Sequence, residues 1–337
     1  MAKSVKMQDI AQKLGVSTMT VSKALSGKPG VSDTMREKIR TLADEMGYVA
    51  PCAEKEEQKK SYNIGVLLAE YYTEKDATFY WKLYQVISTR AVHRNCFVMI
   101  EILSMMDEKE LAVPKLVTGE KIDGLIVLGS MDSAYLEMLE EKAQVPIVYV
   151  DFYDDKVKED SVISNGFYGA YQITDYLFSK GHKDIAFVGT LLTTKSITDR
   201  FLGYQKALME HGKATSERWI IPDRDQERTC YDRIVLPKEM PTAFVCNCDL
   251  TACKLIRSLK EEGYRVPEDI SVVGYDDFLV TGLCDVEITS YGVDMGHMAE
   301  MAVEVLLRKM QGIYRSKGLY IVEGYLAEKE SVKELVR

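Results

Sequence analysis

From Tyr62 onward, short apolar runs alternate with amphipathic segments. The runs have the length of strands and are rich in β-branched residues, whereas the segments between them carry apolar side chains at helical spacing. Strands that alternate with helices predict an α/β fold, with parallel sheets covered by helices on both faces. The strand-like runs form two successive series, which predict two similar lobes with a cleft between them: Ile64–Leu68, Phe97–Ile102, Gly124–Leu128 and Pro146–Val150, then Ile185–Val188, Trp219–Ile221, Thr242–Val245 and Ile270–Val273.

The first 50 residues have a different pattern, which predicts three short helices. Met7–Leu14 carries apolar side chains on one face and ends at Gly15, and Ser17 caps a second helix. After a loop at residues 26–30, a third helix begins at residues 32–34 and ends at Gly47. The charged stretch that follows, up to Lys60, has the composition of a linker.

The apolar skeleton of the first two helices is that of a helix-turn-helix, in which small and β-branched residues fill the space between the helices. The second helix would then enter the major groove of DNA, where its polar outer face can reach base edges and phosphates. That face carries the candidate DNA-binding residues Ser17, Thr18, Met19, Ser22 and Lys23. A three-helix module for protein contacts, with the same face in solvent, is the alternative interpretation.

The distribution of charge favours DNA as the partner of this head. The whole chain has a net charge of −9, but residues 1–50 hold eight Lys or Arg and five Asp or Glu. The head is therefore basic and the remainder is acidic, as expected when one module alone meets phosphates. No apolar run is long enough to span a membrane, and residues 1–9 lack the apolar stretch of an export signal, so we expect a cytoplasmic protein.

Ordered motifs along the chain resemble those of the lactose/galactose repressor family. In the head they are Val5–Ala11, Gly15–Ser17, Thr20–Ser22, Val31–Ser32, Arg36–Lys38 and Gly47–Tyr48. In the remainder they are Asp123–Gly124, Gly169–Ala170, Gly181–Ile185, Arg200–Tyr204 and Pro267–Asp277. The resemblance implies two periplasmic-binding-protein-like lobes behind the head, and a homodimer that binds a pseudo-palindromic operator.

These patterns together predict three parts of the chain. Residues 1–50 are the DNA-binding head, residues 51–61 are a hinge or linker, and residues 62–337 are the effector sensor. Within the sensor we expect lobe 1 at about 62–160 and 291–322, and lobe 2 at about 161–290 and 323–337. The hinge departs from the family pattern, because residues 50–60 hold three glutamates, three lysines and no leucine to insert between DNA bases. We therefore expect a hinge that bends DNA weakly or not at all.

The candidate effector site follows from the rule that ligands bind beyond the carboxyl ends of parallel strands. Asp151, Asn247 and Asp276 follow strand-like runs, and Arg200 begins a helix after another. Carboxylates, amides and a guanidinium are the groups that pair with the adjacent hydroxyls of a sugar. By resemblance, Arg200, Asn247 and Asp276 hold the effector in this family and Asp151 lines the same cleft. Aromatic faces would come from Tyr71, Tyr72 and Phe79.

Other roles for these residues remain open at this point. Strand-end Asp and Asn side chains commonly cap the next helix, which would account for Asp276 and Asp277. Where the family usually has Asn-Asp, this chain has Asn247-Cys248-Asp249, so the register of that contact is open. We expect His182 to anchor a helix-to-strand turn rather than to contact the effector.

The predicted function is that of a DNA-binding transcriptional regulator, a repressor, controlled by a small-molecule effector. A sugar is the first candidate effector, and a purine or another small metabolite is the alternative. An α/β enzyme is disfavoured because phosphate-binding glycine loops, nucleophile elbows and His-rich metal motifs are missing from the sequence. A transport-associated sugar-binding protein would have an export signal in place of the head. The spacing of the seven cysteines does not fit a zinc site, and we expect reduced thiols, no metal and no cofactor.

Overall fold

The chain forms two compact units, Met1–Ser61 and Tyr62–Arg337. The computed structural model describes residues 6–25, 30–46, 61–73, 79–156, 159–225, 228–279, 282–313 and 317–335. Three predictions lie outside these ranges: most of the loop at residues 26–30, the end of the third helix at Gly47, and the hinge at residues 51–60. In the part of the chain that is described, no helix combines the length and the apolar character needed to cross a membrane.

The described residues of the head form three helices, α1 (Met7–Leu14), α2 (Thr18–Leu25) and α3 (Asp33–Glu45). Gly15 ends α1 in the left-handed conformation (φ 64°), which glycine adopts at little cost. Ser17 precedes α2, and its Oγ accepts a hydrogen bond from the Thr20 amide at 3.1 Å. The core between the helices contains the predicted apolar side chains, namely Ile10, Ala11, Val21, Ala24, Ile39 and Ala43.

Two six-stranded sheets organise the second unit. The first has the order β11-β5-β4-β3-β1-β2 and is parallel throughout. The second has the order β12-β10-β9-β8-β6-β7, and its edge strand β12 runs antiparallel to β10. The strands are β1 (Tyr62–Ala69), β2 (Cys96–Leu103), β3 (Gly124–Leu128), β4 (Ile147–Val150), β5 (Asp160–Ser164), β6 (Ile185–Val188), β7 (Ile220–Ile221), β8 (Ala243–Cys246), β9 (Ser271–Asp276), β10 (Thr289–Gly292), β11 (Leu319–Val322) and β12 (Tyr325–Ala327).

Helices cover both sheets, as the alternating pattern predicts. They are α4 (Phe79–His93), α5 (Met105–Lys109), α6 (Lys115–Thr118), α7 (Ser133–Lys142), α8 (Gly166–Ser179), α9 (Lys195–Glu210), α10 (Asp249–Glu261) and α11 (Met295–Met310), with 3₁₀ turns at Glu70–Tyr72 and Glu217–Trp219. The central strands β3 and β8 are buried along their whole length, and β1 is buried from Ile64 onward, which explains why they have continuous apolar sequences.

The chain passes between the lobes later than the sequence predicts. Strand β5 belongs to the first sheet, so lobe 1 extends to Ser164 rather than to residue 160. Strand β10 belongs to the second sheet, so lobe 2 extends to Gly292 rather than to residue 290. The third passage, between Val322 and Tyr325, agrees with the predicted boundary. The first boundary lies later than the approximate one because β5 contains Asp160, Ser161 and Ser164, polar residues that do not give a strand-like apolar pattern.

Residues 223–237 lie between two strands of the alternating pattern, where a helix is expected, but the described part of this segment contains none. The described part of residues 223–237 is a loop with an antiparallel bridge between Arg224 and Cys230. Asp223 accepts hydrogen bonds from the Thr190 amide at 2.9 Å and from Thr251 Oγ1 at 2.9 Å. Such bonds between an aspartate and neighbouring elements compete with helix formation, and here they fasten the loop to lobe 2.

Candidate effector cavity and DNA-contacting face

The seven predicted effector residues line a single cavity between the two lobes, with a volume of about 390 Å³. Lobe 1 contributes Tyr71, Tyr72, Phe79 and Asp151, and lobe 2 contributes Arg200, Asn247 and Asp276. The three acidic and amide residues lie at the carboxyl ends of strands, as predicted: Asp151 follows β4, Asn247 follows β8, and Asp276 ends β9. A volume of this size suits a small metabolite.

Arg200 is the best-buried charged group of the cavity, with 6% of its surface exposed. Its Nη1 donates to the Asn247 carbonyl oxygen at 2.6 Å, and its guanidinium lies 3.8 Å from the centre of the Tyr275 ring. Its Nη2 is 3.7 Å from Asp276 Oδ1. The buried Nε has no hydrogen-bond partner among the described residues. A buried donor without a partner costs free energy, and an effector oxygen in the cavity could supply the missing acceptor.

Two carboxyl groups from opposite lobes face Arg200. Burial raises the pKa of Asp276 to about 7, against the opposing charge of Arg200, and the nearby charge of Asp151 adds to the rise. Burial also raises the pKa of Asp151, whose carboxylate accepts a hydrogen bond from Tyr80 Oη at 2.8 Å. Both residues have a positive φ, 67° at Asp151 and 112° at Asp276. Strained backbone at such positions is frequent in ligand sites.

Helix capping does not account for Asp276 and Asp277. Among the described residues Asp276 pairs with Arg200, while Asp277 accepts hydrogen bonds from Lys329 Nζ at 2.5 Å and Tyr325 Oη at 3.0 Å. The helix that follows β9 along the chain, α11, is capped instead by Asp294, whose Oδ1 accepts from the His297 amide at 2.8 Å. The alternative role left open for Asp276 is therefore wrong in this structure.

Asn247 is held by the protein itself. Its Nδ2 donates to Asp223 Oδ2 at 2.8 Å and to the Val188 carbonyl at 3.1 Å, and its Oδ1 accepts from Arg224 Nη2 at 3.3 Å. Burial raises the pKa of Asp223, but the charge of Arg224 opposes this effect, and the resulting pKa of Asp223 is lowered to about 2. Asn247 thus lines the cavity and also orders the Asp223–Arg224 pair beside it. The next acidic residue, Asp249, is buried and accepts from Ser290 Oγ and the Phe278 amide, so it positions the loop after β9.

Several cavity residues were missed by the sequence analysis. They include Tyr80, Arg224, Arg228, Cys230, Cys248, Lys254 and Phe278. Tyr80 follows Phe79 directly and could have been included with it. Arg224 and Arg228 lie in the segment expected to be a helix, so no strand-end rule pointed to them. Lys254 lies inside α10, where a lysine usually faces solvent.

Three polar contacts join the lobes around the cavity. Arg228 of lobe 2 donates from Nη1 to Tyr71 Oη at 2.8 Å and to the Ser130 carbonyl at 2.9 Å, both in lobe 1. Lys195 Nζ of lobe 2 lies 2.7 Å from Asp155 Oδ2 of lobe 1. Tyr153 Oη donates to Asp199 Oδ2 at 3.1 Å. The lobes are therefore bridged at more than one place.

The predicted DNA-binding residues occupy one surface of the head. Thr18, Met19 and Ser22 are exposed, Met19 to 68%, and they belong to α2, whose Val21 and Ala24 are buried against the other helices. The exposed Ser17 contributes its hydroxyl to the start of the helix, bonded to Thr20 Oγ1 at 2.9 Å. Lys23 is half-buried. An exposed methionine beside short hydroxyl side chains suits contact with base edges and thymine methyl groups.

His182 is confirmed as a structural residue. It is fully buried, with Nδ1 3.0 Å from Thr242 Oγ1 and Nε2 3.2 Å from the Lys333 carbonyl oxygen. Over the described residues, no three His, Cys, Asp or Glu side chains are grouped in a way that could hold a metal ion.

Comparisons with known proteins agree with this two-part organisation. Residues 6–50 match the family described as bacterial regulatory proteins, lacI family, and residues 174–332 match a periplasmic binding protein-like domain. The HTH-type transcriptional repressor PurR of Vibrio atlanticus (strain LGP32) is 28% identical over 335 residues, which cover 98% of this chain and 99% of that protein. The PurR repressor of Erwinia tasmaniensis is also 28% identical and covers 97% of each chain.

Solved structures share the fold over nearly the whole length. A complex of the transcriptional regulator CelR with cellobiose has a TM-score of 0.68 at 22% identity, covering 97% of this chain and 99% of that one. A lac repressor dimer bound to operator and the anti-inducer ONPF has a TM-score of 0.66 at 23% identity, covering 98% and 100%. This chain therefore carries a helix-turn-helix domain of the bacterial lacI family at its start, followed by a periplasmic-binding-protein-like domain.

Proposed function

We propose that this protein is a repressor whose affinity for operator DNA is set by a small polar effector held between the two lobes of its sensor. The observation that carries the proposal is the cavity to which both lobes contribute polar side chains, with Asp151 on one side and Arg200 and Asp276 on the other. A ligand that forms hydrogen bonds to both lobes binds the closed form of the sensor more tightly than the open form. It therefore shifts the equilibrium between the two forms toward closure.

A sugar is the effector class that these groups suit best. Carboxylates beside a guanidinium can pair with adjacent hydroxyls, and the rings of Tyr72, Phe79 and Phe278 offer apolar faces to a pyranose. Two structural neighbours support this choice, the CelR complex with cellobiose and a LacI family regulator from Enterococcus faecium with bound ribose. A purine is the second candidate, supported by the similarity to the PurR repressors of Vibrio and Erwinia.

We further propose that the protein acts as a homodimer on a pseudo-palindromic operator, as the operator-bound lac repressor dimer does. In each protomer the outer face of α2, with Thr18, Met19, Ser22 and Lys23, would lie in the major groove. Opening and closing of the lobes would change the contacts between protomers, and with them the spacing of the two heads relative to the half-sites. Such a protein works where operator DNA is, which places it in the cytoplasm.

Two measurements test the proposal. Selection of a random duplex library with the purified protein should recover a palindromic sequence, which a protein-contact module would not enrich. A thermal-shift screen of sugars and nucleobases should then identify compounds that raise the Tm, because a ligand that binds the folded state alone stabilises it by mass action. A compound from the screen should change the operator Kd, and Asp276→Ala should lose its thermal shift while still binding operator.

A matched control is provided by Asp232→Ala, an exposed acidic residue at the edge of the same cavity. This variant should keep the thermal shift of a sugar or nucleobase that Asp276→Ala loses. The proposal is wrong if no palindromic duplex is preferred over random DNA with or without the compounds of the screen.

A further inference from the structure

The charges along the cavity wall are unevenly distributed. Arg200 is buried, its Nη2 lies 3.7 Å from Asp276 Oδ1, and the charge of Asp151 also acts on it, so carboxyl groups face this cation. Three more cations, Arg224, Arg228 and Lys254, line the same cavity, and they come from the loop after β7 and from α10.

Among the described residues, Arg228 binds neutral oxygens only. Its Nη1 donates to Tyr71 Oη and to the Ser130 carbonyl, and no carboxylate of the described residues lies within 4 Å of the guanidinium. The charge of Glu108 acts on Arg228 from a greater distance, but the Glu108 carboxylate accepts a hydrogen bond from the Asp132 amide at 2.6 Å. The Nη2 and Nε of Arg228 therefore remain available to a ligand.

Lys254 has neither a hydrogen bond nor an ion pair on its ammonium group within the described residues, although the side chain is only half exposed and lines the cavity. Arg224 uses Nε and Nη2 for Asp223 and Asn247, which leaves Nη1 without a partner in the described part of the chain. The remaining carboxylate of this part of the cavity, Asp232, is exposed to solvent, where its charge is screened.

We propose that the effector carries an anionic group, a phosphate or a carboxylate, bound by Arg228, Lys254 and the free Nη1 of Arg224. This inference rests on the proposed function and narrows it: the ring of the effector lies near Arg200 and Asp276, and its anionic group lies toward the loop after β7. Guanidinium and ammonium groups that face a semi-enclosed cavity form the strong, charge-assisted hydrogen bonds that phosphate and carboxylate groups accept. A neutral sugar or nucleobase would leave Arg228 and Lys254 without a counter-charge from the described residues, whereas Arg224 already pairs with Asp223.

The first test uses inorganic phosphate and pyrophosphate as probes of the full chain. Each should raise the Tm of the wild type above the value in NaCl of equal ionic strength. Lys254→Gln, which leaves the bond between Arg228 and Tyr71 intact, should lose at least half of that increase, and the double variant Arg228→Gln/Lys254→Gln should lose nearly all of it. Binding of phosphate to the basic head is the same in all variants and so cancels in the comparison.

Matched control variants come from the same elements. Lys260→Gln removes an exposed lysine of α10, and Arg233→Gln removes an exposed arginine of the loop after β7. Both should retain the phosphate-dependent rise in Tm. The inference is overturned if phosphate and pyrophosphate stabilise no more than NaCl does, or if the double variant responds as the wild type does.

The second test distinguishes the two anions and separates this inference from the proposed function. Glucose, glucose 6-phosphate and gluconate are compared by calorimetry, together with hypoxanthine and inosine 5′-monophosphate. We expect glucose 6-phosphate or gluconate to bind at least tenfold more tightly than glucose, or inosine 5′-monophosphate to bind at least tenfold more tightly than hypoxanthine. Lys254→Gln should lose that difference in affinity. Equal or tighter binding of the neutral members, with a change in operator affinity, would overturn the anionic site and leave the proposed function intact. If no compound binds and the operator affinity never changes, both fail.

Discussion

The Nη1 atom of Arg228 lies 2.8 Å from the Oη atom of Tyr71, and this hydrogen bond joins the two lobes. Arg228 belongs to the loop after β7 in lobe 2, and Tyr71 to the 3₁₀ turn after β1 in lobe 1. Both residues also line the cavity. A contact that connects the lobes and lines the cavity links occupancy by a ligand to closure.

Tyr71→Phe tests this link. The substitution removes the Oη acceptor and leaves the ring in place, so the closed arrangement should lose about 1 kcal/mol of stabilisation, the worth of one such hydrogen bond. We expect effector binding roughly fivefold weaker by calorimetry, and a larger radius of gyration of the free protein by small-angle scattering. Tyr231→Phe, which alters an exposed tyrosine of the same loop, is the control. Unchanged affinity and scattering in Tyr71→Phe would show that Arg228 does not hold the lobes together.

The raised pKa of Asp276 predicts a pH-dependent stability. Its value of about 7 lies above the roughly 4 of an unfolded aspartate, so between these pH values the folded state binds a proton that the unfolded chain releases. The stability contributed by this site is therefore present below about pH 4 and is lost as the pH rises to about 7. Relative to wild type, Asp276→Asn should gain on the order of 2 kcal/mol between pH 5 and pH 8 in urea unfolding. A constant difference between the two proteins over that range would contradict the prediction.

Lys23 of α2 is expected to contact phosphate or guanine. Lys23→Gln should weaken operator binding about tenfold near 0.1 M salt and reduce the slope of log K against log salt concentration by about 1. The thermal shift caused by an effector should be unchanged, because the residue lies in the other unit of the chain. Lys260→Gln, on the sensor, should affect neither quantity. An unchanged salt slope in Lys23→Gln would place this lysine outside the DNA interface.

Gly203 illustrates why a small residue is needed between α8 and α9. A Cβ at this position would overlap the carbonyl oxygen of Phe167 on the neighbouring helix. Gly203→Ala should therefore destabilise the sensor by about 2 kcal/mol or more, since the backbones would have to separate. Gly318→Ala, where a Cβ meets open space, should change the free energy of unfolding by less than about 0.5 kcal/mol. Similar stability of the two variants would argue against the close approach of the helices.

The hinge remains a prediction from the sequence alone. Residues 50–60 contain no leucine and several glutamates, which cannot insert between base pairs next to phosphates. A circular-permutation gel assay with the selected operator should show little bending, and replacement of Glu56 and Glu57 by Leu and Ala should increase it. A strong kink with the wild type would contradict this expectation.

Local sequence patterns predicted most of the fold and part of the site. Hydrophobic periodicity identified the two series of strands and the three helices of the head, because these elements bury continuous faces. The strand-end rule found Asp151, Asn247 and Asp276, since parallel strands deliver their carboxyl ends to one edge of the sheet. The boundaries of the lobes were less well predicted, because a strand such as β5 is polar along much of its length.

The sequence by itself determined the α/β class, the helix-turn-helix head and the residues at the strand ends, all of which depend on side-chain patterns within short segments. The tertiary structure alone decided that Arg228 reaches Tyr71, that Asn247 binds Asp223, and that Lys254 faces the cavity. The reason is physical: these contacts join segments that are far apart in the chain. Their partners are selected by the packing of whole lobes, about which a local pattern of residues carries no information.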